Sequence, residues 1–181
     1  MNYLERASVL LSLTDELKRV GSWCGETHIQ KTTFVLQELF NVPLGFRFIL
    51  YKHGPYSFDL ADIITEMRAD EFIQIESRHP FGVSISLVPH AKLIFDICPE
   101  PREQHLPAIK FVAKRLGPFG VTDLEKLATA FWVTKECPQC PPGERANRIS
   151  QLKPHISMEE SRRAITDMDA LRTDATPLVP A

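Results

Sequence analysis

The sequence predicts an α+β, mostly helical protein: a winged-helix-like N-terminal unit with a packed helical C-terminal half. Three observations lead there. Apolar residues recur at spacings of three and four over most of the chain, which is the helical period. Two short stretches alternate instead, as strands do. A composition of 44% hydrophobic and 24% charged residues over 181 positions suits one compact domain or two closely packed halves.

Residues 3 to 20 read as a helix, with Ala7, Leu10, Leu11, Thr14 and Leu17 on one face and Glu5, Arg6, Asp15, Glu16 and Lys18 on the rest. Gly21 stops it. A second helix is predicted to open at Thr27, whose hydroxyl would accept from the backbone N–H of Gln30 while the Gln30 side chain reaches back, and to run to Phe40. Residues 46–51, FRFILY, are aromatic and branched and read as a strand, followed by a His53-Gly54-Pro55 turn. Ser57 then caps a third helix carrying Leu60, Ile63, Ile64 and Met67 on its apolar stripe. Residues 72–76 and 83–87 alternate well enough to be two strands joined across RHPFG. Helix, helix, strand, helix, hairpin is the order of a winged-helix unit.

Beyond that, Leu106, Ile109, Val112, Ala113 and Leu116 mark a helix face that Gly117-Pro118 ends. Thr122 with Glu125 reads as a capping box for the next helix, and Ser157 with Glu160 as another. Between them CPQCPPG, residues 137–143, interrupts the pattern, and residues 144–152 form a short helix. The domain reading is 1–98 for the winged-helix-like unit and 105–173 for the helical unit, with PEPREQ, residues 99–104, as the joint. Residues 174–181 are a flexible tail.

Composition narrows function by exclusion. Lys plus Arg number 21 against 23 for Asp plus Glu, a net charge of -2, so nonspecific coating of a phosphate backbone is a poor default. Residues 1–100 hold 9 basic and 13 acidic residues, and residues 101–181 hold 12 and 10. No apolar stretch approaches membrane length and MNYLERASVL lacks a signal-peptide pattern, so neither a span nor export is expected. Four unevenly placed cysteines favour a reducing cytoplasm over a secreted disulfide scaffold.

The segment from Thr27 to Gln37, THIQKTTFVLQ, resembles the helix motif of the Panacea or SocA-like antitoxin proteins and the related YwgA-like proteins. Tyr51 to Leu60, YKHGPYSFDL, resembles their second motif, in which an aromatic residue and a Gly-Pro turn feed a helix. The pair at this separation is more specific than either alone. Leu124 to Ala130, LEKLATA, and Leu152 to His155, LKPH, are similar to weaker C-terminal motifs of the same grouping. The resemblance covers roughly residues 5–170 and implies a largely helical protein with a winged-helix-like element. It also implies noncovalent neutralisation of a partner toxin.

Candidate partner-binding residues are therefore Gln30, Lys31, His53 and Tyr56. Each has a plainer reading: Gln30 in an interhelical hydrogen bond, Lys31 solvated, and the His53–Tyr56 stretch as a structural turn. The alternative function is a winged-helix DNA-binding transcriptional regulator, a homodimer being compatible with either reading. Its groove-facing candidates are Arg68 and Arg78, although Asp59, Asp62, Glu66, Asp70 and Glu71 surround the first. An enzyme is not expected, because no phosphate loop, Rossmann fingerprint or HExxH motif occurs and no Cys–His pair has the required reach. No cofactor is expected either. Cys137-Pro138-Gln139-Cys140 has half the spacing of a zinc knuckle, and the favoured reading is an ordinary proline-rich turn, with metal and redox exchange behind it. Trp132 reads as a core anchor, and Arg145 and Arg148 as a solvated helix face.

Overall fold

The computed structural model describes residues 1–77 and 82–179. The protein is α+β and mostly helical. Helix α1 (Tyr3–Arg19) is held at its start by a capping box between Asn2 and Glu5 and ends on the basic pair Lys18 and Arg19, which suits its dipole. It is buried on nearly every side from Ala7 to Thr14, because it lies along α5 (Pro99–Leu116) as the central rod of the molecule. Two polar groups on its buried side bond to main-chain carbonyls: Ser8 donates to the Cys98 carbonyl at 2.7 Å and Thr14 to Leu10 at 2.8 Å.

Helix α2 (Glu26–Phe40) is capped by Gly25, so Thr27 lies in its first turn and the predicted Thr27 cap does not form. Gln30 is used elsewhere. The predicted strand 46–51 shortens to β1 (Ile49–Tyr51), because the Gln37 side chain holds both polar groups of the Phe46 backbone, at 2.8 and 2.9 Å. A peptide group satisfied this way has no call for a ladder partner. The predicted turn at residues 53–55 is in part a strand: β2 (Gly54–Tyr56) pairs antiparallel with β1, Ile49 opposite Tyr56.

Ser57 caps α3 (Phe58–Ala69) as the sequence indicates, accepting from the Leu60 N–H at 3.3 Å. Strands β3 (Ile73–Ser77) and β4 (Val83–Leu87) form the expected hairpin, with Ile75 opposite Ile85. It docks on the α1–α2 connection through Ile85 N–H to Cys24 O at 2.8 Å and Trp23 Nε1 to Val83 O at 2.9 Å. The two hairpins remain separate sheets, so β1 does not extend the β3–β4 pair.

A short helix α4 (Leu93–Ile97) leads into α5. Residues 99–104, read as the joint, are the first turns of α5, where Pro99 sits at a position that has no need of its N–H. Helix α6 (Val121–Glu136) is capped by Gly120, so Thr122 falls inside it and the predicted Thr122–Glu125 box is replaced by a buried Glu125. Helices α7 (Pro142–Leu152) and α8 (Met158–Ala175) complete the chain, the latter opened by the predicted Ser157–Glu160 capping box. The proline-rich Cys137–Cys140 turn is closed by a disulfide, which uses both thiols that zinc would need.

One cluster of buried apolar side chains runs from α1 to α8. Its largest fully buried side chains include Leu10, Leu11, Leu13, Leu17, Phe34, Leu36 and Ile109, and Phe34 meets Phe48, Phe131 and Trp132 at ring separations of 5.1, 5.4 and 6.0 Å. Trp132 is half-buried there, its indole N–H donating to Glu136 at 2.9 Å, in keeping with an anchor at the core edge. In the stretch read as a tail, Ala175 is buried, Asp174 pairs with Arg115, and Val179 packs against the core after a 3-10 turn at Thr176–Leu178. No helix among the described residues is long and apolar enough to cross a membrane.

Candidate functional site: a clamped hairpin with an aromatic edge

In the β1–β2 hairpin, β2 contains two poor strand formers, Gly54 and Pro55, and the hairpin is held in place by side chains from three directions. From α2, Gln30 uses both ends of its amide: Nε2 donates to Ser57 O and Oε1 accepts from Ser57 N–H, each at 2.9 Å. Lys31 donates to Pro55 O at 2.9 Å. From the loop after α7, Lys153 donates to Lys52 O at 2.6 Å and also to Tyr51 O. From α6, Glu125 supplies the balancing charge: its carboxylate lies 3.0 Å from His155 Nε2, 3.5 Å from His53 Nδ1 and 3.9 Å from Lys153 Nζ.

Burial sets the electrostatics. Lys31 is only 2% exposed, and burial pulls its ammonium down to about 8 against the partly compensating charge of Glu125, with Lys153 adding repulsion. Burial lowers Lys153 as well, again opposed by Glu125. The two ammonium groups are thus directed at main-chain carbonyls, and Glu125, 6% exposed, is the carboxylate they share. Gly54 must come close to α6 and takes φ +85°; a Cβ there would meet Thr129 Oγ1 at 3.2 Å and the Glu125 carbonyl at 3.5 Å.

The outer side of the hairpin is aromatic. Tyr51, Tyr56 and Phe58 touch one another with ring centroids 5.1 to 5.9 Å apart. Tyr51 is 54% and Phe58 55% exposed, and Ile49 beside them is 46% exposed. Tyr56 donates to Glu26 at 2.9 Å, and burial together with that carboxylate pushes its phenol up to about 12. The hydroxyl therefore stays a donor.

All four partner-binding candidates come together here. Gln30, Lys31, His53 and Tyr56 line one depression of about 270 Å³ with Tyr51 and Phe58. Gln30 keeps its plainer reading, an interhelical bond from α2 to the Ser57 cap of α3, whereas Lys31 is buried instead of solvated or reaching outward. Glu125, Lys153, His155, Tyr51 and Phe58 complete the arrangement; none is a binding candidate from residue type, Glu125 being expected only as a capping-box partner. Their one sequence signal is that LEKLATA and LKPH, like THIQKTTFVLQ and YKHGPYSFDL, belong to the quoted motifs. Residues from all four segments converge on this hairpin.

Arg68 is exposed in the last turn of α3, and Arg78 lies outside the described residues. Arg145 is not on a solvated face: it is 6% exposed and forks onto Asp169 at 2.8 and 2.7 Å, with Thr134 at 3.0 Å. Cys24 and His28 face different partners. Burial pushes the Cys24 thiol up to about 12, and His28 Nε2 meets Phe119 O at 3.0 Å. Among the described residues no group of three or more His, Cys, Asp or Glu side chains is placed to hold a metal. In comparisons with known proteins, no family model matches the chain and no curated protein matches it.

Proposed function

We propose that the chain is a noncovalent protein-interaction module, an antitoxin-like protein of the Panacea, SocA-like and YwgA-like grouping that neutralises a partner toxin in the cytoplasm. Its contact surface is the β1–β2 hairpin. The observation that carries this reading is the pairing of opposites there: Tyr51 and Phe58 are more than half exposed, while Lys153 holds the Tyr51 carbonyl and Gln30 holds both backbone groups of Ser57, the residue before Phe58, with Lys31 on Pro55 between them. Aromatic side chains bury a large area for few rotatable bonds, and a backbone already held in place has little entropy left to lose on docking. The convergence of the four motif segments on the same hairpin supports it further. Tyr56 with Glu26, and His53 at the rim, supply the polar border that orients a partner. Neutralisation then needs no bond to be made or broken: the rings cover the toxin's working surface.

The test is a Tyr51→Ala/Phe58→Ala pair. The chain is used to capture its partner from the native host with and without nuclease, and the captured protein is then expressed alone and with either form of the chain. Wild type is expected to relieve the growth defect that the partner causes. The alanine pair should bind roughly 100-fold more weakly and fail to relieve it, with unchanged circular dichroism. Binding that disappears with nuclease and ignores the alanine pair would move the DNA-binding regulator to the front.

A further inference from the structure

We propose that the Cys137–Cys140 pair is a thiol–disulfide exchange site whose co-reactant is a dithiol. The disulfide closes a turn with only two residues between its ends, at the corner where α6 gives way to α7. A loop that short removes very little freedom from the unfolded chain, so the bond adds little as a staple.

The corner does not depend on it. Helix α7 is seated by the fork of Arg145 on Asp169 and Thr134, and by Ala146 and Ile149, both fully buried. The α6 end is anchored by Val133 and Thr134. What the bond does have is access. Both sulfur-bearing residues are half-buried and line a depression of about 420 Å³ that also carries Glu136, Glu144 and Arg148. Cys24, by contrast, has no exposed surface at all.

The two sulfurs are not equivalent. Cys137 follows the C-terminal end of α6, where the helix dipole opposes an anion, and Cys140 precedes the N-terminal end of α7, where it favours one. Cys140 is therefore the better leaving group, and Sγ of Cys137 is the sulfur attacked. A thiolate of the co-reactant bonds to Cys137 Sγ; the Cys137–Cys140 bond breaks, and its electron pair leaves on Cys140, which takes a proton from water. The second thiolate of the co-reactant then attacks the first co-reactant sulfur and expels Cys137 as thiolate, which is protonated in turn. Two electrons pass, leaving two thiols on the chain and a disulfide in the co-reactant. A monothiol stalls at the first step, because Cys140 lies close enough to return and expel it.

The test uses the oxidised full chain under native conditions with three reductants: dithiothreitol, glutathione at equal thiol concentration, and thioredoxin kept reduced by its reductase. Thiols are alkylated at intervals, and the tryptic peptide of residues 136–145 is read by mass. The expected result is opening by both dithiols about tenfold or more faster than by glutathione, with helical circular dichroism unchanged. A Cys137→Ser/Cys140→Ser variant should give the same spectrum and melting point within a few degrees. A bond that opens only on denaturation, a loss of helix on opening, or equal rates with glutathione and dithiothreitol would overturn the proposal.

Discussion

Lys31 carries the sharpest residue-scale consequence. Its ammonium is held beneath the hairpin on Pro55 O, and burial leaves it titrating near 8 where an unfolded lysine titrates near 10.5. Between those values the unfolded chain binds more protons at this position than the folded one, so the Lys31 contribution to stability rises with pH across that window. Below about 8 the penalty is complete, and above about 10.5 it is gone. Lys31→Met removes the titration while keeping the apolar stem. The stability of wild type relative to Lys31→Met, from urea midpoints, is expected to climb from pH 8 to 10.5 by at most about 3 kcal/mol. A difference that stays flat over that range would refute the assignment. The sequence placed Lys31 correctly on a helix beside Gln30, but its burial depends on what the hairpin and α6 place above it, and no local pattern encodes that.

At the scale of elements, the β1–β2 hairpin shows what local propensity leaves open. Gly-Pro-Tyr is a poor strand by composition, and only its pairing with β1 and its contact with α6 make it one. Gly54 is the residue on which that contact turns. Gly54→Ala is expected to cost about 1–3 kcal/mol, both for its left-handed backbone and for the approach to Thr129 Oγ1 at 3.2 Å. Gly143→Ala is the control: it lies inside α7 with open space around it, and should be neutral or stabilise by about 0.5–1 kcal/mol. Equal thermal shifts for the two variants would remove Gly54 from its assigned role. Caps divide in the same way. Ser57 and Ser157 are legible because the capping bond is local, whereas Thr27 and Thr122 fail because the turn before each helix brings a glycine to the cap position.

Over the whole molecule, the fork of Arg145 on Asp169 ties α7 to α8, and its third bond to Thr134 reaches α6. Arg145 is 7% exposed at its side chain and Asp169 39%, so the two halves of the pair are unequal. Arg145→Ala leaves a carboxylate that water can reach, and should cost about 2 kcal/mol. Asp169→Ala leaves a buried guanidinium without its anion, and should cost at least as much. Denaturant midpoints showing Asp169→Ala milder than Arg145→Ala would contradict this assignment of burial.

By itself the sequence determined the helical class, the extent of α1, the starts of α3 and α8, and the two strands of the β3–β4 hairpin. These rest on periods of two and about 3.6 and on caps, which neighbours along the chain decide. Only the tertiary structure decided that residues 99–104 belong to a helix, that Lys31, Glu125, Arg145 and Lys153 are buried, and that Tyr51 and Phe58 stand exposed. Those outcomes depend on which helix packs against which. A charged side chain is solvated or buried according to a partner that lies 24 residues away for Arg145 and about a hundred for Lys153.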